Sequence, residues 1–213
     1  MIPTPDLSHL SSNDFRHIYE PAEDTFLLLD ALEQDALEIK KRDPKIGLEV
    51  GSGSGCVTAF LGKILEGTGV LLLCTDINPR ASVATKLTCI KNNVHADVIT
   101  TSLCDSLLPR LRHKVDILYM NPPYVLTTSD EVGSNSIEAA WAGGKDGREI
   151  IDRMIPLVSE LLSPTGMFYL LVISENKPHE ILDWMKRDWG LHGKIAMERK
   201  AGREKQYILK FWR

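Results

Sequence analysis

Asn121-Pro122-Pro123-Tyr124 follows the apolar run Val115 to Met120 and so stands where a buried strand should end. Two consecutive prolines hold their φ at about −65° and push the residue before each into extended geometry, which leaves the backbone of Asn121 and Pro122 few alternatives. Pro123 has no N–H to compete, so Asn121 Oδ1 and the Pro122 carbonyl form a pair of acceptors for the two hydrogens of one NH2 group. A primary amide or exocyclic amine held in this way has its nitrogen aimed for attack, and Tyr124 offers a flat face on which a planar group can stack. A proline stop on a surface loop is the plain alternative. The asparagine ahead, the aromatic behind and the place at a strand end, where ligands of α/β sheets collect, favour a site for chemistry at nitrogen.

Such a site needs a donor beside it, and the preceding residues are built to hold one. Ile46 to Val50 is a short apolar run that ends in Gly51-Ser52-Gly53-Ser54-Gly55, after which Cys56, Val57, Phe60, Leu61, Ile64 and Leu65 recur at helical spacing. Strand, glycine loop and helix in that order let a ligand approach the backbone closely at the helix start. A second buried run, Val70 to Cys74, ends at Thr75-Asp76, where an acidic side chain can accept both hydroxyls of a ribose. The dehydrogenase fingerprint wants a glycine where Cys56 stands, so nicotinamide is the lesser option.

The remaining elements follow in alternation. Residues 1–18 read as a flexible polar arm, and order begins near Tyr19, with Pro21 in a first helical turn, Glu23 and Asp24 facing the helix dipole, and an apolar stripe of Phe26, Leu28, Leu29 and Leu32; a second use of the acidic Tyr19 to Thr25 segment is to close over a cationic cofactor. Pro79 opens a helix to about Asn92, Val98 to Leu103 is a third strand and Val115 to Met120 a fourth. Leu126 to Gly147 is a long polar stretch carrying Ile137 and Trp141, the kind of loop that clamps substrates. A helix over Glu149 to Leu162, a strand over Met167 to Ile173, a helix over Pro178 to Asp188 and a hairpin of Ile195 to Arg199 with Gln206 to Trp212 around Ala201-Gly202-Arg203 complete the chain. This pattern predicts an α/β sheet, mostly parallel, with a closing antiparallel hairpin and helices on both faces.

A chain of 213 residues, 43% hydrophobic and 25% charged, suits one domain, here residues 19–213. Cys56, Cys74, Cys89 and Cys104 form no C-x-x-C pair and have no histidine pattern beside them, so no metal site or disulfide framework is expected, and reduced core thiols point to the cytoplasm, with the nucleus as a second compartment. No run approaches the roughly 18 apolar residues of a membrane span. A net charge of −4 argues against a nucleic-acid partner on electrostatic grounds.

Y-E-P-A-E-D-T-F-L-L-L-D-A-L at 19–32, L-E-V-G-S-G-S-G at 48–55, C-T-D-I-N-P at 74–79, N-P-P-Y-V at 121–125, G-S-x-x-I-E-A-A-W-A-G-G-x-x-G-R-E at 133–149 and L-L-S-P-x-G at 161–166 together resemble the eukaryotic HemK-related glutamine methyltransferases. The resemblance covers nearly the whole chain. It implies a class I methyltransferase (Rossmann-like) domain with a seven-stranded sheet, and methyl transfer from S-adenosylmethionine to the side-chain amide of the glutamine in the Gly-Gly-Gln motif of a translation release factor. It also implies that Thr25, Glu49, Gly51, Gly53, Asp76 and Asn121 line the cofactor, with Asp76 on the ribose and Ser102 and Leu103 against the adenine. Many members carry aspartate where this chain has Ser102. The same resemblance implies a small zinc-bearing activator subunit, for which the expected edge strand Val98 to Leu103 is the candidate docking edge. A stacked adenine or a lysine amine would also fit an N-P-P-Y pocket, so DNA adenine N6 and histone lysine stay open as acceptors, as does a non-catalytic subunit on the same fold.

Overall fold

The computed structural model describes residues 2–132, 141–202 and 204–213. Seven strands form one sheet in the order β3-β2-β1-β4-β5-β7-β6, where β1 is Ile46–Val50, β2 Leu71–Asp76, β3 Ala96–Thr100, β4 Val115–Met120, β5 Leu162–Ile173, β6 His192–Ala201 and β7 Glu204–Trp212. The first five run parallel, and β7 pairs antiparallel with both β5 and β6. The central strands are apolar on both faces because both faces are covered. Along β4, Ile117 and Tyr119 join one core with α1 (Glu23–Gln34) and α3 (Cys56–Ile64), while Leu118 and Met120 join the other with α6 (Glu149–Leu161) and α7 (Pro178–Trp189). Two short helices that periodicity is too brief to reveal, α2 (Ala36–Lys41) and α5 (Leu108–Leu111), fill connections, and α4 (Pro79–Lys91) joins β2 to the edge strand.

Several boundaries differ from the sequence reading. α1 starts at Glu23 with Ala22 extended ahead of it, so Pro21 lies outside the helix; the Asp24 carboxylate closes this end by accepting the Thr25 N–H at 2.6 Å. Phe26 points outward while Leu27, Leu28, Leu29, Ala31 and Leu32 are buried. β3 covers 96–100 rather than 98–103, because the chain leaves the edge after Thr100 and turns inward, with Leu103 in the left-handed region at φ 45°. β5 begins at Leu162, five residues early, through a bulge opposite Val115 and Ile117, and the hairpin is longer than the hydrophobic runs alone indicate.

Residues 2–18, expected to form a loose arm, lie across α1 and α4. The Ile2 N–H donates to Glu33 Oε1 at 2.6 Å, Asp6 N to Asn92 Oδ1 at 2.7 Å and Asn78 Nδ2 to the His17 carbonyl at 2.7 Å, while Ile18 is buried. Of the expected clamp, Gly133 to Ala140 with Ile137, and at the hairpin tip Arg203, lie outside the described residues.

Candidate active site

β1 and β4 are neighbours in register, with Glu49 opposite Tyr119, so the segments that leave their carboxyl ends emerge side by side. Between them opens a cleft of about 250 Å³. All the residues singled out from sequence line it: Thr25, Glu49, Gly51, Gly53, Asp76, Ser102, Leu103, Asn121, Pro122, Pro123 and Tyr124.

At the β1 end the wall is largely main chain. Gly51 and Gly53 take φ of +76° and +53°, and a side-chain carbon at either would meet nothing within 4 Å, so the loop leaves room above itself for a ligand. Gly55, at φ +80°, is tight for a different reason: a carbon there would come within 2.7 Å of the Thr85 Cα, so this glycine lets α3 pack on α4. Asp76 braces the loop, with Oδ2 accepting the Gly53 N–H at 2.9 Å and Oδ1 the Asn78 N–H at 2.8 Å. Burial raises its pKa, and these backbone donors pull it back.

Glu49 lies beneath the loop with 2% exposure. Burial pushes its carboxyl up to about 8; the Thr58 hydroxyl and N–H, which both donate to Oε2, oppose the rise, and the Asp76 charge adds to it. Thr58 Oγ1 also meets Tyr119 Oη at 2.7 Å and Cys74 Sγ at 3.2 Å, which extends the network into the core. Asp24, Asp76 and Glu204 bring carboxylates to the cleft against Arg153 as the only basic residue among its described lining, a field suited to a cationic ligand, while Glu49 holds its proton near neutral pH. Loop space, buried acids and polarity all fit a sulfonium nucleoside. Ser102 is different: its hydroxyl is 3.4 Å from Arg153 Nη2, so part of its bonding faces the rim.

At the β4 end the wall is side chain. Asp24 Oδ2 accepts from Tyr19 Oη at 2.9 Å, Tyr124 Oη at 2.9 Å and Asn121 Nδ2 at 3.0 Å. Burial, then the charge of Asp24, raises both phenol pKa values, so both stay protonated donors. Asn121 Oδ1 is buried without a hydrogen-bond partner. Such an atom is costly unless something else supplies the donor. Trp141 overhangs this end, held by the bridge of Val125 with Ala142: Val125 N donates to the Trp141 carbonyl at 2.9 Å and Gly143 N to the Val125 carbonyl at 2.8 Å. Beneath, buried Asn176 donates through Nδ2 to the carbonyls of Tyr124 and Asp146 at 3.0 Å and of Gly147 at 3.2 Å, and accepts the Ile173 N–H at 2.8 Å.

Sequence reasoning reads Asp24 as helix-start chemistry and gives the Tyr19 to Thr25 segment as a whole a second use, closing over a cationic cofactor, but it assigns no individual role to Tyr19, Asn176, Arg153 or Glu204. The available signal was a tyrosine and an aspartate five positions apart at the start of the first helix. A lone buried asparagine after the fifth strand carries no comparable mark.

A parallel sheet closed by a reversed terminal strand, with a ligand cleft at the carboxyl ends of β1 and β4, is the architecture of the class I methyltransferases, which use S-adenosylmethionine. Residues 23–200 match the family described as "Methyltransferase small domain", and the chain belongs to it. Among curated relatives, "Methyltransferase HEMK2" of Mus musculus is 53% identical over 210 residues, spanning 99% of this chain and 96% of the relative. The "eRF1 methyltransferase catalytic subunit mtq2" of Schizosaccharomyces pombe is 38% identical, spanning 100% and 96%. Among solved structures, the E. cuniculi Mtq2-Trm112 complex responsible for methylation of the eRF1 translation termination factor superposes with a TM-score of 0.68 at 32% identity, covering 92% of this chain and 98% of that one.

Proposed function

We propose that this protein transfers a methyl group from S-adenosylmethionine to the side-chain amide nitrogen of the glutamine in the Gly-Gly-Gln motif of a class I translation release factor, as the catalytic subunit of a heterodimer. The observation that carries the reading is the buried, unpartnered Asn121 Oδ1 at the junction of the cofactor and acceptor walls. A primary amide has two N–H groups to give, and Asn121 Oδ1 with the Pro122 carbonyl takes both.

The cofactor, when bound, supplies an already activated methyl, so the protein's work is alignment and exclusion of water. Gly51, Gly53 and Asp76 hold the nucleoside; Asn121 and Pro122 fix the acceptor amide with its nitrogen toward the methyl; Tyr124, and Trp141 from above, cover it. A methylated amide sheds its surplus proton readily, so no side chain is assigned as general base.

The small activator seen with Mtq2 has a matching face here. β3 is an unpaired sheet edge, and beside it α4 exposes Val83 (60%), Leu87 (48%) and Ile90 (61%) at helical spacing. A zinc-bearing subunit that adds a strand to β3 covers both features, and without it the chain is expected to aggregate. Four buried free thiols suit a reducing, cytoplasmic setting. Among the described residues no helix is long and apolar enough to cross a membrane.

The test is mass-spectrometric. The chain co-expressed with its activator, given S-adenosylmethionine and release factor, is expected to add a single methyl to the Gly-Gly-Gln glutamine. Methyl on DNA adenine or histone lysine alone would overturn the acceptor, and no transfer with cofactor bound would leave only a scaffold.

A further inference from the structure

The Asn121 side chain has an accepting and a donating end of nearly the same shape, and only one rotamer of that amide is useful. If the NH2 end faced the cleft it would meet the donors of the acceptor amide, N–H against N–H. The surroundings choose. Asp24 Oδ2 stands 3.0 Å from Nδ2, is 1% exposed as a residue, and, as a carboxylate oxygen, can only accept. Turning the amide by half a revolution would set Oδ1 against that oxygen, lone pair to lone pair, inside a site with little water to screen them. The carboxylate cannot turn away to relieve this. Its Oδ1 is fixed by the Thr25 N–H at 2.6 Å and faced by Thr25 Oγ1 at 3.3 Å, and its Oδ2 also holds Tyr19 and Tyr124 at 2.9 Å each.

We propose that Asp24 is the positioning residue for methyl transfer: it fixes the Asn121 amide in the one orientation that presents Oδ1 to the acceptor nitrogen. The geometry explains why Asn121 Oδ1 is left buried without a partner; its own NH2 group is committed elsewhere, and the remaining end is kept for the incoming amide. The identity of that acceptor rests on the glutamine reading; the anchoring is a property of the enzyme before any acceptor arrives.

The anchoring is read first, on the ¹⁵N-labelled heterodimer, from the side-chain NH2 resonances of Asn121, assigned by their loss in Asn121→Asp. They are expected to be well dispersed and to exchange with solvent far more slowly than exposed asparagine amides. Exchange at the rate of an exposed amide overturns the proposal without any variant of Asp24. The second reading is a double-mutant cycle of Asp24→Asn with Asn121→Ala in methyl transfer at saturating cofactor. Acting alone, Asp24→Asn should lower kcat by about 10- to 100-fold with the cofactor Kd moved less than about twofold. In the Asn121→Ala background the same change should cost less than about threefold, because the orientation it guards no longer exists. Equal losses in both backgrounds, or a loss confined to cofactor binding, would make Asp24 a structural carboxylate and sink the idea. Because the wild-type corner of the cycle reports glutamine transfer by itself, failure of the acceptor assignment shows there, while the resonance measurement still decides the anchoring.

Discussion

The two ends of the cleft are made of different material. The cofactor end is local: Gly51, Gly53 and the strand before them are contiguous, and Asp76 arrives on the neighbouring strand of the ladder. The acceptor end is assembled from a distance, with Asp24 reaching Asn121 and Tyr124 across 97 and 100 positions of sequence and Asn176 bonding back to Tyr124 from 52 positions away. At the first, main-chain geometry makes the surface and side chains brace it. At the second, side chains make most of the surface, and main chain adds to it chiefly through the Pro122 carbonyl. Substitutions at the two ends should therefore fail differently, one in binding and the other in turnover.

The strongest break of that contrast is Asn121→Ala. Methyl transfer is expected to fall about 10²- to 10³-fold, the scale of losing one preorganised polar contact to a reacting group, while calorimetry finds cofactor affinity nearly unchanged. Equal loss of both would erase the distinction. Asp76→Ala should do the reverse, costing about 10- to 100-fold in cofactor affinity by titration with turnover at saturation largely kept. Within the glycine loop, Gly55→Ala should cost on the order of 1–3 kcal/mol in urea unfolding, since its added carbon meets Thr85, whereas Gly51→Ala should cost about 1 kcal/mol in stability yet weaken cofactor binding by obstructing open space.

Acidity sharpens the comparison further. Glu49, with its folded pKa raised to about 8, holds a proton in the native state that the unfolded chain releases near its ordinary carboxyl value of 4.5. Protein without cofactor should therefore lose stability as pH rises from about 5 through 8 and level off above that. Glu49→Gln should flatten that slope when unfolding midpoints are compared across the range. The smallest effect belongs to Ser102. With its hydroxyl 3.4 Å from an exposed arginine, Ser102→Ala should shift the cofactor Kd by less than about threefold.

The same division governs what the chain discloses before folding. Alternating apolar runs, a glycine loop and a proline-stiffened strand end are local signals, and they place the sheet, the cleft and the residues that line it. Asp24 hides because an aspartate in the first turn of a helix already has a sufficient local explanation. Tyr19 hides because it stands outside the first helix, where no periodicity marks its partner. The bounds of β3 go astray because the β-prone Thr100 and Thr101 and the apolar Leu103 extend the pattern past the strand's end into a turn where Leu103 adopts a left-handed backbone, which hydrophobicity does not record. The early start of β5 is masked by Ser163, Pro164 and Gly166, residues that read as a turn until β4 is seen to pair with Leu162 across a bulge.

The register between β1 and β4 has a consequence of its own. Glu49 lies opposite Tyr119, so the segments that carry Gly51 and Asn121, each two residues further on, leave neighbouring strands in step with one another. The level at which the acceptor wall meets the cofactor wall is thus set by a backbone ruler whose graduations are peptide hydrogen bonds. A slip of one residue would displace acceptor from donor by about 3.3 Å and turn every β4 side chain to the wrong face, a failure that the core itself would reject during folding. Reach is therefore inspected when the sheet forms, before any substrate arrives, and the surface around the site is left free to change its choice of protein without recalibrating the reaction.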